Sequence, residues 1–129
     1  MPHSQNLVVR ARRLLTKSET SVLQSLPKVL LHEHLDGVLR PRTVIELATS
    51  THYAELPTND ATELAAWFHQ GANQGSLAKY LDGFRYTIAV MQTEEALERI
   101  AYEQAQDLSR DGVVSVSYTH LTLPTIYSV

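Results

Sequence analysis

The residues best suited to chemistry are His32 and His34, which stand two positions apart and are followed by Asp36. Side chains alternate along a strand, so on a strand the two histidines share one face and Asp36 has the same parity. Two imidazole nitrogens that point in one direction suit Zn²⁺ or a similar divalent metal. A His-x-His triplet alone is a weak signal, because it also arises by chance. The spacing therefore predicts a metal site only if this segment is a buried strand.

The residues around the triplet have the pattern of a strand in a parallel sheet. Residues 29–31 form a short branched apolar run after Pro27, and the run ends at Asp36 and Gly37. A run that is polar only at its C-terminal end is typical of a strand buried on both faces. Active sites of α/β proteins form at the carboxyl ends of such strands. We expect the histidines at that end, with Glu33 on the opposite face and without a catalytic role.

Helical patterns occupy most of the remaining chain and alternate with the strands as in an α/β protein. We expect an approach helix over 18–26, a helix starting near Pro41, a helix from an Asp60 cap to about Gln70, and one continuous helix after a Ser76 cap. A last helix capped by Thr93 has the predicted buried stripe Leu97, Ile100, Ala101, Ala105 and Leu108. A second strand begins at Val113 after the Asp111-Gly112 stop.

The composition favours a globular protein and argues against several classes of partner. A formal net charge of −3 gives no reason to expect nucleic acid or an anionic membrane as partner. Arg10, Arg12 and Arg13 interrupt the only apolar stretch near the start that resembles a signal peptide. The chain has no cysteine, so thiolate chemistry and disulfides are excluded. We expect a cytoplasmic protein without membrane segments, and the oligomeric state stays open.

Three segments together resemble one enzyme family. PKVLLHEHLDGVLRPRTVIELA, at 27–48, is similar to the opening of the adenosine deaminase family, with its Pro-Lys-x-x-Leu-His-x-His-Leu-Asp-Gly strand and Arg-Pro helix start. SLAKYLDGF resembles the lid helix of that family, and ERIAYEQAQDLSRDGVV resembles the helix that leads to its second barrel strand. The resemblance covers roughly residues 26–114, in order and with similar spacing.

The resemblance implies a fold, a cofactor and roles for individual residues. The fold is the N-terminal part of a (β/α)₈ barrel, mostly helical with about two parallel strands, and the reaction is hydrolysis of adenosine or deoxyadenosine by a zinc-activated water. His32 and His34 match the first two zinc ligands, and His34 and Asp36 match residues that hold the ribose end of the purine nucleoside. The lid over the purine corresponds to Leu77, Tyr80, Leu81 and Phe84. Periodicity alone favours a different reading of these four residues, as the core face of an ordinary amphipathic helix.

The chain departs from the family after Val114. The family continues into Tyr-x-Glu-Val-Arg-Phe-x-Pro, whereas residues 115–129 contain no Asp, Glu, Lys or Arg and include SYTHLTLPT, which resembles translated sequencing-adapter read-through. We therefore expect an N-terminal extension with the approach helix at 1–25, the deaminase part at 26–114, and a non-native tail at 115–129, for which a divergent strand and a short terminal turn is the alternative. A barrel of this type takes about 250 residues. We expect a fragment that lacks the later zinc ligands and the acid Glu and is inactive by itself.

Two alternatives stay open at this point. Another aminopurine, such as adenine or aminofutalosine, is possible as substrate, since substrate choice depends partly on loops that this chain lacks. A non-enzymatic, small helical domain that binds metal or a partner protein would explain the length without truncation. That alternative does not account for a strand with the pattern of double burial and only one or two neighbours.

Overall fold

The computed structural model describes residues 16–118 of the 129-residue chain. Its elements in chain order are α1 (Lys17–Ser25), β1 (Lys28–Glu33), a 3₁₀ turn (Leu35–Gly37), α2 (Pro41–Ser50), α3 (Ala61–Ala72), α4 (Leu77–Leu81), α5 (Phe84–Val90), α6 (Glu94–Arg110) and β2 (Val113–Tyr118). β1 and β2 form a parallel pair. The predicted class, mostly helical α/β with two parallel strands, is confirmed.

The strand pair is less covered than the sequence pattern predicts. Lys28 pairs with Val113 and Glu33 with Tyr118, with irregular register between these ends. Val29 is 59% exposed and Leu31 is 75% exposed, so the prediction that β1 is buried on both faces is wrong for residues 16–118. Both faces of a parallel sheet are buried only when layers pack on each side, and the described part of the chain supplies no element that covers these side chains.

The core lies among the helices that follow β1. One cluster consists of Val44, Ala48, Leu64 and Val90, all nearly inaccessible to solvent. A second cluster contains Leu35, Met91 and Ile100. Leu39 and Leu47 pack against both clusters and so connect them. The turn after β1 is therefore fixed from the inside by Leu35.

Side-chain capping hydrogen bonds are present at the starts of three of the six described α-helices, α1, α3 and α6. The Asp60 side chain accepts hydrogen bonds from the backbone N–H groups of Thr62 and Glu63, as the predicted cap requires. Thr93 likewise accepts from the Ala96 N–H at 3.2 Å. Ser76 stands at the N-cap position of α4, as expected, but its side chain accepts no capping hydrogen bond.

Two helix predictions need correction. The single helix expected after Ser76 is interrupted at residues 82–83, between α4 and α5. There the Phe68 ring lies only 3.3 Å from the position that a Cβ on Gly83 would take, so the chain passes close to α3. The buried stripe of α6 is also different, because Ala101 and Ala105 are exposed whereas Gln104 is buried. Helical spacing alone does not show which neighbouring helices cover a given face.

The described residues cover only part of the predicted terminal segments. β2 continues to Tyr118, so the part of the predicted tail at 115–118 pairs with β1. The rest of that tail, 119–129, lies outside the described residues. Residues 1–15 of the predicted N-terminal extension lie outside them as well. The division at 115 stays a prediction. Between residues 16 and 118, no helix is long and apolar enough to cross a membrane.

Candidate functional site

The two histidines of the triplet meet at the carboxyl end of β1. The strand ends at Glu33, and His34 continues in an extended conformation, with φ −127° and ψ 123°. Their Nε2 atoms lie 2.7 Å apart, and the ring centroids are separated by 4.8 Å. Alternation along the strand thus directs both rings to one place, as the spacing predicts. Their role as metal ligands stays a prediction.

The nitrogen pair fits two positions of a zinc site. Tetrahedral zinc with Zn–N bonds of about 2.05 Å requires a nitrogen–nitrogen separation of about 3.3 Å. The separation here is 2.7 Å, so the rings need to part by about 0.6 Å, which a small side-chain rotation supplies. Between residues 16 and 118 there is no group of three or more His, Cys, Asp or Glu side chains able to hold a metal. Between residues 16 and 118, the histidine pair thus fits at most two of the four positions that a tetrahedral zinc ion requires.

Asp36 stands in a turn and not on the strand. It belongs to the 3₁₀ turn Leu35–Gly37, which the Gly37 N–H closes by donating to the His34 carbonyl at 3.1 Å. The expected continuation of strand parity to Asp36 is therefore wrong. The turn forms because Leu35 enters the core, and it leaves Asp36 in the wall of a cavity.

That cavity has a volume of about 410 Å³, within the range of small-molecule sites. It lies between the turn after β1, helix α3 and helices α4–α5. Its lining consists of Asp36, Gly37, Leu39, Pro41, Ala65, Trp67, Phe68, His69, Gly71, Ala72, Lys79, Tyr80, Gly83, Phe84 and Thr87. The lining combines aromatic rings with few polar groups, which is the usual character of a pocket for a flat organic ligand.

The four predicted lid residues separate into two pairs. Tyr80 and Phe84 line the cavity and pack edge to face at 5.5 Å, and Phe84 also lies against Gly37. Leu77 is 73% exposed and Leu81 51% exposed, and neither lines the cavity. The reading of these residues as a buried core face is wrong, since three of the four are exposed. Their role as a lid stays a prediction.

Sequence reasoning missed the α3 wall of the cavity. Trp67 packs edge to face on Phe68 at 5.5 Å and on the buried Tyr86 at 5.2 Å. The sequence predicted only a helix from Asp60 to about Gln70, of which Leu64 lies in the core. The sequence signal for a cavity wall is the pair of adjacent aromatic residues Trp67 and Phe68 followed by Gly71, and this pattern by itself is a weak predictor.

The comparisons with known proteins agree with this geometry. The family model "Adenosine deaminase" matches residues 27–123. The chain is 58% identical over 88 residues to adenosine deaminase 1 of Streptomyces coelicolor, covering 68% of this chain and 22% of that protein. It is 52% identical over 96 residues to adenosine deaminase of Mycobacterium avium, covering 74% of this chain and 26% of that protein. With adenosine deaminase of Mycobacterium ulcerans the identity is 53% over 92 residues, covering 71% and 25%.

The chain spans about a quarter of the length of these curated relatives. The matched region includes the His32–His34 pair, the Asp36 turn and every helix that lines the cavity. The family model matches well over half of the chain. The chain belongs to the adenosine deaminase family.

Proposed function

We propose that the protein to which this sequence belongs hydrolyses adenosine to inosine and ammonia, and that this chain supplies part of its active site. The observation that carries the proposal is the convergence of two imidazole Nε2 atoms, 2.7 Å apart, with His34 two residues before Asp36. Asp36 lines the cavity, whereas the two histidines lie outside its lining. The relatives that carry the name adenosine deaminase support the choice of substrate.

Each residue then has a task set by its chemistry. His32 and His34 hold the metal through Nε2, and we propose zinc, because neutral imidazole is a good ligand for it. Zinc bound there supplies an activated water for hydrolysis at neutral pH. Asp36 accepts hydrogen bonds from sugar hydroxyl groups, with His34 beside the ribose end. Tyr80 and Phe84 cover the purine with apolar surface and exclude bulk water.

The proposal concerns a full-length barrel, so it is tested in one. In a chimera, residues 16–114 of this chain replace the corresponding segment of the Streptomyces coelicolor relative, so that the host supplies the other strands. We expect the purified chimera to contain zinc and to consume adenosine, followed by ultraviolet absorbance. His32→Ala should lose metal and lower kcat by at least about 10³-fold. A chimera that retains zinc and full turnover after this substitution would contradict the proposal.

A matched control uses a histidine away from the site. His52 lies in an exposed loop with φ 58°, a conformation that Asn adopts with little strain. His52→Asn should therefore leave both zinc content and kcat unchanged. Loss of metal in this variant as well would show that any histidine substitution disturbs the chimera, and the His32 result would then carry no weight.

The substrate is tested by comparing nucleoside with free base. If Asp36 binds the ribose, adenosine should be a far better substrate than adenine, and Asp36→Ala should raise KM for adenosine by about tenfold with a smaller change in kcat. A chimera that prefers adenine would overturn the choice of adenosine and favour the alternative of a free-base deaminase. The expected cytoplasmic location stays a prediction.

A further inference from the structure

Arg40, at the start of α2, is held by the far end of helix α6. Its Nε and one terminal nitrogen donate to the two carboxylate oxygens of Asp107 at 2.8 and 2.7 Å. The same terminal nitrogen lies 3.1 Å from the Glu103 carbonyl and 3.3 Å from Gln106 Oε1. This two-pronged contact fixes direction as well as distance, because guanidinium and carboxylate are both planar.

A second polar contact joins the same two helices. The buried Thr43 hydroxyl donates to Glu103 at 2.5 Å. Arg99 of α6 bridges Glu103 at 2.9 Å and Glu46 of α2 at 2.5 Å. The first two turns of α2 are thus attached to α6 along its length, with the Arg40–Asp107 pair at the end nearest Asp36 in sequence.

The chain between His34 and Arg40 has little freedom. Leu35 and Leu39 pack in the second core cluster, and the turn between them is closed by the Gly37 N–H to His34 carbonyl bond. Asp36 therefore stands between a strand end on one side and the Arg40 anchor on the other. The hydrogen bond from Arg40 lowers the pKa of Asp107, as expected for a carboxylate held by this guanidinium.

We propose that Arg40, through Asp107, is a positioning residue that fixes the Asp36 carboxylate in the cavity wall for the ribose of the substrate. The inference rests on the proposed function, because it gives Asp36 its task. Arg40 is absent from the cavity lining, so it acts through the turn and not by contact with the ligand. Displacement of a group that binds the substrate by about 1 Å can lower the efficiency of an enzyme reaction by about a hundredfold.

The test uses single substitutions of Arg40 and Asp107 in the chimera, followed by a double-mutant cycle of Arg40 with Asp36. Arg40→Ala and Asp107→Ala remove the pair from opposite sides, and each should raise KM for adenosine roughly tenfold with kcat within about threefold. Arg42→Ala is the matched control, because its side chain is 83% exposed and its ion pair among residues 16–118 is with Glu46 of its own helix. We expect the control to leave KM unchanged. Melting curves identify any variant that fails to fold, and the second pair variant then supplies the result.

The cycle separates positioning from general support of the fold. If Arg40 acts through Asp36, Arg40→Ala should add nothing to KM once Asp36→Ala is present. A further increase of the same factor in the Asp36→Ala background, or no change in KM in either pair variant, overturns the inference and leaves the proposed function intact. An Asp36→Ala variant with unchanged KM instead overturns the proposed role of Asp36, and the inference with it.

Discussion

Gly112, in the turn between α6 and β2, offers a sharp test of the packing at the amino ends of the strands. Its φ is 77°, in the left-handed region that favours glycine. A Cβ added there would overlap the Gln24 carbonyl oxygen and lie 2.7 Å from that of Leu26. These oxygens end α1 and also accept from the Lys28 ammonium at 3.3 and 3.4 Å. Gly112 is therefore enclosed by backbone that cannot rotate aside.

The expected loss of unfolding free energy in Gly112→Ala has two parts. The left-handed conformation costs alanine about 1 kcal/mol. Unbonded carbon and oxygen atoms approach to about 3.3 Å, so the Leu26 carbonyl has to retreat by about 0.6 Å, and overlap of this size adds about 2 kcal/mol. Gly75 provides the control, because its φ is 64° but nothing lies within 4 Å of an added Cβ. We expect Gly112→Ala to lose about 3 kcal/mol and Gly75→Ala about 1 kcal/mol of unfolding free energy.

Urea unfolding of the two chimera variants, followed by circular dichroism, measures both costs. A difference between them of less than about 0.5 kcal/mol would refute the reasoning. Such a result would mean that the end of α1 moves away from Gly112 at almost no cost. Such a movement is the physical alternative to a costly overlap, because no residue of α1 is buried.

Three further predictions concern the core, the pH dependence and the isolated chain. Leu64→Ala should lower the unfolding free energy of the chimera by about 2–5 kcal/mol in urea titrations, because the side chain is fully buried; a loss below 1 kcal/mol would contradict its place in the core. The hydrogen bond from Arg40 lowers the pKa of Asp107 below its ordinary value of 3.8, so the stability from this carboxylate is present above about pH 4 and is lost as the pH falls through the lowered pKa. Asp107→Asn should thus lower the unfolding free energy by less than about 1 kcal/mol near pH 7, because the pair is partly exposed. In urea titrations, the difference in unfolding free energy from the unsubstituted chimera should shrink below about pH 4. A difference that grows on acidification would contradict the expected sign. The 129-residue chain with added zinc should form no inosine, because residues 16–118 contain no group of three or more side chains able to hold a metal and the proposed His32–His34 pair is incomplete by itself; any turnover seen in ultraviolet assays would refute this.

The sequence predicted several local features in which a side chain acts on its own backbone, although the hydrogen bond expected at Ser76 is absent. The caps at Asp60 and Thr93 and the stop at Gly112 depend on residues within one turn, and all three are present. The convergence of His32 and His34 follows from strand alternation alone. Local chemistry of this kind can be read from a single sequence.

Predictions that depended on neighbouring elements were less successful. Val29 and Leu31 have the pattern of a buried strand, but burial depends on layers that the described residues do not supply. At the break between α4 and α5, Gly83 lies close to Phe68, which is distant in sequence, so the room at this position is not readable from local spacing. The Arg40–Asp107 pair spans 67 residues, and no spacing rule connects such positions.

The two halves of the candidate site differ in how much of the chain they need. The cavity beside Asp36 is assembled from residues 36–87, close in sequence, and its aromatic wall packs on the core that contains Leu64. The metal half requires ligands beyond the His32–His34 pair, because two imidazoles leave a tetrahedral ion half unsatisfied. Folding of the helices can therefore preform the cavity wall beside Asp36, whereas the proposed metal site would need ligands from other strands of a barrel. Binding of the sugar and of the metal should accordingly be separable by substitution, with Asp36 affecting the first and His32 the second.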